Sequence, residues 1–103
     1  MADFVLNDRR REVRVPAGTP GQDVTPQVPG ARVLDVLDQS AHGLRCRLGG
    51  PVRPGRSMAL RITRHGRASA FVVLVVRCEV SRVTRQGVQY EAAWLSERAW
   101  GDE

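Results

Sequence analysis

The sequence has no lysine: all sixteen of its basic residues are arginines, set against eleven acidic ones for a net charge of +5. It has only two cysteines, two histidines and five aromatic side chains in 103 residues. Each shortage excludes something. Two cysteines cannot staple a chain of this size into a disulfide framework, and Cys46 and Cys78 each fall mid-strand in the apolar phase, so they read as core thiols. His42 and His65 stand singly in turns, with no cysteine or serine at the spacing of a nucleophile and its base, and no cluster of Cys, His and carboxylate that a metal would need. Asp35 and Asp38 lie three apart in an extended segment, which puts them on opposite faces, a poor arrangement for acid and base work. Neither GxxxxGK nor GxGxxG occurs, so any phosphate has to be held by side chains. The expectation is a chain without catalysis, metal or cofactor. No apolar run approaches the ~20 residues that cross a bilayer. The opening "MADFVLNDRRREVR" has no apolar core followed by a small-residue cleavage site. The expected location is cytoplasmic, with no membrane insertion.

What is present is a composition that folds, 42% hydrophobic and 26% charged, at a length that supports one core and one domain. The densest basic cluster is "RRREVR", Arg9 to Arg14. Residues 16 to 30, "PAGTPGQDVTPQVPG", hold four of the six prolines and three glycines, which allows at most a short or irregular edge strand. Residues 1–30 therefore read as a flexible arginine arm with its connection, and residues 31–103 as the barrel of the same domain.

From residue 31 the pattern alternates. "ARVLDVL" is a strand and "DQSAHG" a turn, and "LRCRL" sends Leu44, Cys46 and Leu48 to one face and Arg45 and Arg47 to the other. After the loop "GGPVRPG", "SMALRIT" turns Met58, Leu60 and Ile62 inward, and "RHGR" makes a hairpin into "ASAFVVLVVRCEVSRV". That last strand is apolar on both faces from Phe71 to Val76, and then sets Val76, Cys78 and Val80 against Arg77, Glu79 and Ser81. "TRQG" turns back into "VQYEAAWL", with Val88, Tyr90, Ala92 and Trp94 on one side, and "SERAW" suits a short C-terminal helix capped by Ser96. About six antiparallel strands with short turns predict an all-β, closed or nearly closed barrel. Phe71, Tyr90 and Trp94 fall in the core phase rather than on a basic face, which disfavours a nucleic-acid platform.

Two stretches remain, "RRREVR" and "DQSAHG". The first contains RxxxR as Arg10-Arg11-Glu12-Val13-Arg14, and the second contains [D/N]xSxxG as Asp38, Ser40 and Gly43. In this order and spacing, followed by alternating strands, the pair resembles the PilZ domain family, bacterial receptor modules for cyclic di-GMP, over about residues 8 to 95. The resemblance implies a small antiparallel Greek-key barrel, a cyclic di-GMP site at Arg10, Arg11, Arg14, Asp38, Ser40 and Gly43, and a downstream protein partner. The residue chemistry agrees with such a ligand. Arginine forks bond phosphate oxygens and the guanine O6/N7 edge in pairs, aspartate accepts from the guanine Watson–Crick edge, and a serine hydroxyl bonds phosphate, base or its own turn. Gly43 allows a positive φ or a close backbone approach. The plain alternative is an Asx or Ser turn in which Asp38 and Ser40 bond only neighbouring amides. Two rival functions stay open: an adaptor that binds no nucleotide, and a small basic barrel for single-stranded nucleic acid. The family has a strand between its two motifs, whereas Pro20, Pro26 and Pro29 interrupt that region here, so a short first strand and a loose arm are expected.

Overall fold

In a computed structural model of the chain, the residues described are Val15–Pro16 and 24–101. The hydrophobic alternation resolves into β1 (Val15–Pro16), β2 (Thr25–Gln27), β3 (Val33–Gln39), β4 (Gly43–Leu48), β5 (Ser57–Arg64), β6 (Arg67–Thr84) and β7 (Gly87–Ser96). All neighbouring pairs are antiparallel, in the sheet order β1-β3-β4-β7-β6-β5-β2. Because β1 is a two-residue pairing, six strands carry the nearly closed barrel. Strands β5, β6 and β7 follow one another by hairpins, while β4, joined to β5 by the loop 49–56, lies beside β7. This is the Greek-key arrangement. The proline-rich connection yields β2, a three-residue strand at the sheet edge, where Pro26 costs no ladder bond and Val24 and Val28 are buried.

The core follows the two-residue period. Leu44, Cys46 and Leu48 of β4 face Trp94, Ala92 and Tyr90 of β7, and Leu60 of β5 faces Phe71 of β6. Fully burying each large side chain contributes about 1.5–3 kcal/mol, so this inner face is what holds the sheet in its curl.

Three local devices refine the pattern. A register shift between Val75 and Arg77 inserts Val76 as a bulge, so the inward series changes from Phe71, Val73 and Val75 to Cys78. The doubly apolar run "FVVLVV" is the sequence trace of that phase change. His65 and Gly66 both have positive φ (50° and 77°), the backbone of a two-residue hairpin turn matched to strand twist. A second shift between Val80 and Arg82 keeps Val80, Val83, Val88 and Tyr90 on one side of the β6–β7 ribbon, which outruns its neighbours: β4 pairing stops at Tyr90 and β5 pairing at Leu74. Val80 and Val83 are consequently exposed.

The expected C-terminal helix is not formed among the described residues. Residues 97–101 are bends and turns. The Ser96 hydroxyl accepts from Arg98 N–H (3.1 Å) and donates to the Arg98 carbonyl (2.6 Å), closing a tight turn instead of capping a helix. Burial of Trp100 then decides the path of the chain. No described helix is long and apolar enough to cross a membrane.

Candidate functional site

The "DQSAHG" turn joins β3 to β4 and is closed from within. Ser40 N–H donates to the Gly43 carbonyl (2.9 Å), and Gly43 N–H donates to Ser40 Oγ (3.0 Å). Both residues are buried. The serine of the motif therefore serves the turn itself, as the Ser-turn reading foresaw. Gly43 is not among the glycines with positive φ, so the conformational reason expected for it does not hold. Its carbonyl also accepts from the Trp100 indole Nε1 at 3.0 Å.

Asp38 is on the outer face, where its Oδ2 lies 2.6 Å from Arg45. A register shift between Val36 and Asp38 overturns the expectation of opposite faces: Asp35 pairs across to Arg47 and Asp38 to Arg45, so both carboxylates share the outer face. Each meets its own arginine rather than the other carboxylate. The pairing continues across the sheet. Arg45 also reaches Glu91 at 3.1 Å, and Arg77 reaches Glu91 at 3.3 Å and Glu79 at 3.5 Å. The result is a charge ladder running over β3, β4, β7 and β6. At this exposure each pair contributes about 0–1 kcal/mol, so the ladder does more to orient Asp38 and Arg45 beside the turn than to hold the fold.

Arg10, Arg11 and Arg14 lie outside the described residues. The chain that leads from them is placed, however: Val15 pairs with Gln39 and Pro16 with Asp38. The residue after Arg14 thus sits against the start of the turn. Of the six residues picked from the sequence, Asp38, Ser40 and Gly43 are brought together by the β3–β4 hairpin.

Sequence reasoning missed Arg45 as a partner of Asp38 and missed the contact of the C-terminal segment with the turn. Ser96 N–H donates to the His42 carbonyl (2.8 Å), and Trp100 N–H to the Ala41 carbonyl (3.0 Å). The only trace of this in the sequence is a tryptophan in an otherwise polar tail, "SERAWGDE". Two hollows flank the segment. One of about 240 Å³ is bordered by Gln39, Ser40, Ala41, Arg64, Trp100 and Gly101, directly under the turn. The other, about 580 Å³, is bordered by Phe71, Val73, Leu95 and Arg98. The floor of the larger hollow is core: Phe71, Val73 and Leu95 are buried.

Among the described residues, no group of three His, Cys, Asp or Glu could hold a metal. Burial, aided by the nearby Asp38 carboxylate, pushes the Cys46 thiol up to about 12, so it is protonated and inert at neutral pH. Phe71 and Trp94 are buried, which removes them as stacking platforms.

A family model described as PilZ domain matches residues 8–96, a span that includes both motifs and all seven strands. No curated protein and no solved structure gives a significant match to the chain.

Proposed function

The chain belongs to the PilZ domain family, and from that premise we propose that it is a cyclic di-GMP receptor whose site is the "DQSAHG" turn covered by the arginine arm. The observation that supports this reading is the β1–β3 register: Val15, the residue that follows "RRREVR" in the chain, pairs with Gln39, and Pro16 pairs with Asp38. That register supports reading the two motifs as parts of one site.

On this reading the protein does no chemistry on its ligand. Arg10, Arg11 and Arg14 bond the two phosphodiester groups and a guanine O6/N7 edge, which is the bidentate recognition that arginine performs and lysine does not. Asp38, oriented by Arg45, accepts from guanine N1–H and N2–H. Ser40 and Gly43 act through the shape of the turn. Three adjacent arginines, Arg9 to Arg11, repel one another, and two ligand phosphates offset that repulsion. Ligand binding therefore favours an arm tied to the turn, and the tied arm is the surface a downstream protein reads.

Isothermal titration with cyclic di-GMP tests the proposal, with Arg14→Ala beside the wild type. Saturable binding that weakens in the variant is the expected result. A flat titration of wild-type protein at high micromolar ligand would reject the receptor reading and leave the adaptor, and binding of single-stranded nucleic acid with a steep salt dependence would favour the basic-barrel alternative.

A further inference from the structure

The carbonyls of three consecutive turn residues all point to one partner. Ala41 accepts from Trp100 N–H, His42 from Ser96 N–H and Gly43 from Trp100 Nε1–H, at 3.0, 2.8 and 3.0 Å. The partner segment is itself pinned from the other side. The Trp100 ring meets Phe71 edge-on, with centroids 5.1 Å apart and planes at 68°, and the Arg98 guanidinium lies 4.1 Å over the same Phe71 ring while donating to the Ala70 carbonyl at 2.7 Å. Phe71 is rigid core of β6. The "AHG" backbone is therefore held by residues more than fifty positions away, through the last residue of β7 and the segment after it, which is neither strand nor helix.

We propose that Ser96–Gly101 is a clamp on the "DQSAHG" turn, and that Trp100 is the positioning residue through which the clamp sets ligand affinity. This rests on reading the turn as the nucleotide site. Preorganisation supplies the link: a turn already fixed loses less freedom when a ligand binds it, so loosening the turn weakens binding without removing any ligand contact. The coupling is reciprocal. Anything that draws the C-terminal segment off the turn, such as a protein gripping that segment, weakens the ligand by the same factor by which the ligand resists the displacement. The clamp therefore gives the site a second route of communication, separate from the arm.

Trp100→Phe tests this, because it keeps an aromatic ring against Phe71 and deletes the indole donor, together with the packing that the smaller ring gives up. Three measurements are needed. In ligand-free protein, amides of Ser40 and Gly43 should exchange faster in Trp100→Phe than in wild type, while those of "FVVLVV" should not. In titration, the variant should bind cyclic di-GMP about two- to tenfold more weakly at unchanged stoichiometry, the loss expected for one neutral hydrogen bond. In wild-type protein, the Trp100 indole N–H resonance should shift as ligand saturates, while that of Trp94, buried without a hydrogen-bond partner among the described residues, stays put. Turn amides that exchange at the wild-type rate in Trp100→Phe overturn the clamp whether or not the protein binds nucleotide. Wild-type protein that binds, with equal affinity in the variant and an unmoved Trp100 resonance, overturns the coupling and leaves the receptor reading standing. Wild-type protein that does not bind, with loosened turn amides in the variant, rejects the nucleotide site and with it Trp100's role in affinity, while the clamp on the turn stands. The resonance measurement needs no variant, so a poorly folded Trp100→Phe does not remove the test.

Discussion

Replacing Ser40 by alanine should destabilise the protein in the complete absence of ligand. The hydroxyl accepts the buried Gly43 N–H at 3.0 Å, and the residue is only 5% exposed, so water does not take over when the oxygen is gone. A buried donor left without its acceptor costs about 1–3 kcal/mol. For a domain of this size each kcal/mol moves Tm by roughly 4–8 °C, which gives a fall of roughly 4–24 °C. Thermal unfolding followed by circular dichroism reads this directly, with Asp38→Ala as the comparison. Asp38 lies in a partly exposed pair with Arg45, and Arg45 keeps Glu91, so that variant should lose at most about 1 kcal/mol. A serine that only contacts ligand would show the opposite order, a normal melt and a damaged titration. A Ser40→Ala protein melting within about 1 °C of wild type would refute the argument that the hydroxyl closes the turn.

Five further outcomes are expected. Arg14→Ala should weaken cyclic di-GMP by roughly ten- to a hundredfold, with Arg14→Lys rescuing only part, as read by calorimetry; Asp38→Ala should hurt cyclic di-GMP more than cyclic di-AMP, which offers no matching donor pair. Hydrogen exchange should show amides of residues 9–15 gaining protection on adding ligand, with "FVVLVV" of β6 protected throughout. For Cys46 the folded chain keeps a proton that the unfolded chain releases, so its contribution to stability is complete below the ordinary value of 9.0 and is lost as pH rises to about 12; urea melts at about pH 8 and about pH 10.5 should show a decline that is smaller in Cys46→Ala. Val75→Ala should cost about 1–3 kcal/mol, whereas Val83→Ala, on the exposed ribbon, should stay within about 0.5 kcal/mol in the same melts.

Alternation in the sequence was enough to determine the all-β class, the inner face and the hairpins. Leu44, Cys46 and Leu48 opposite Arg45 and Arg47 leave a strand no choice of face, because a one-residue slip would bury both arginines. "RHGR" likewise announced its turn, since few dipeptides tolerate two positive φ values. The motif residues Asp38, Ser40 and Gly43 were also legible, because they are local in the chain. Tertiary structure decided the rest. The bulge after Val36 put Asp38 beside Asp35 on the outer face, which a period of two cannot foresee, since one extra residue reverses it. The "SERAW" segment reads locally as a helix start, yet a short helix is worth little by itself, and burying Trp100 against Phe71 with two donors on the turn outweighs it. Which carbonyls hold that tryptophan depends on Ala41 and Gly43 being folded back to meet a residue more than fifty positions further on, a contact between distant parts of the chain that no local pattern encodes.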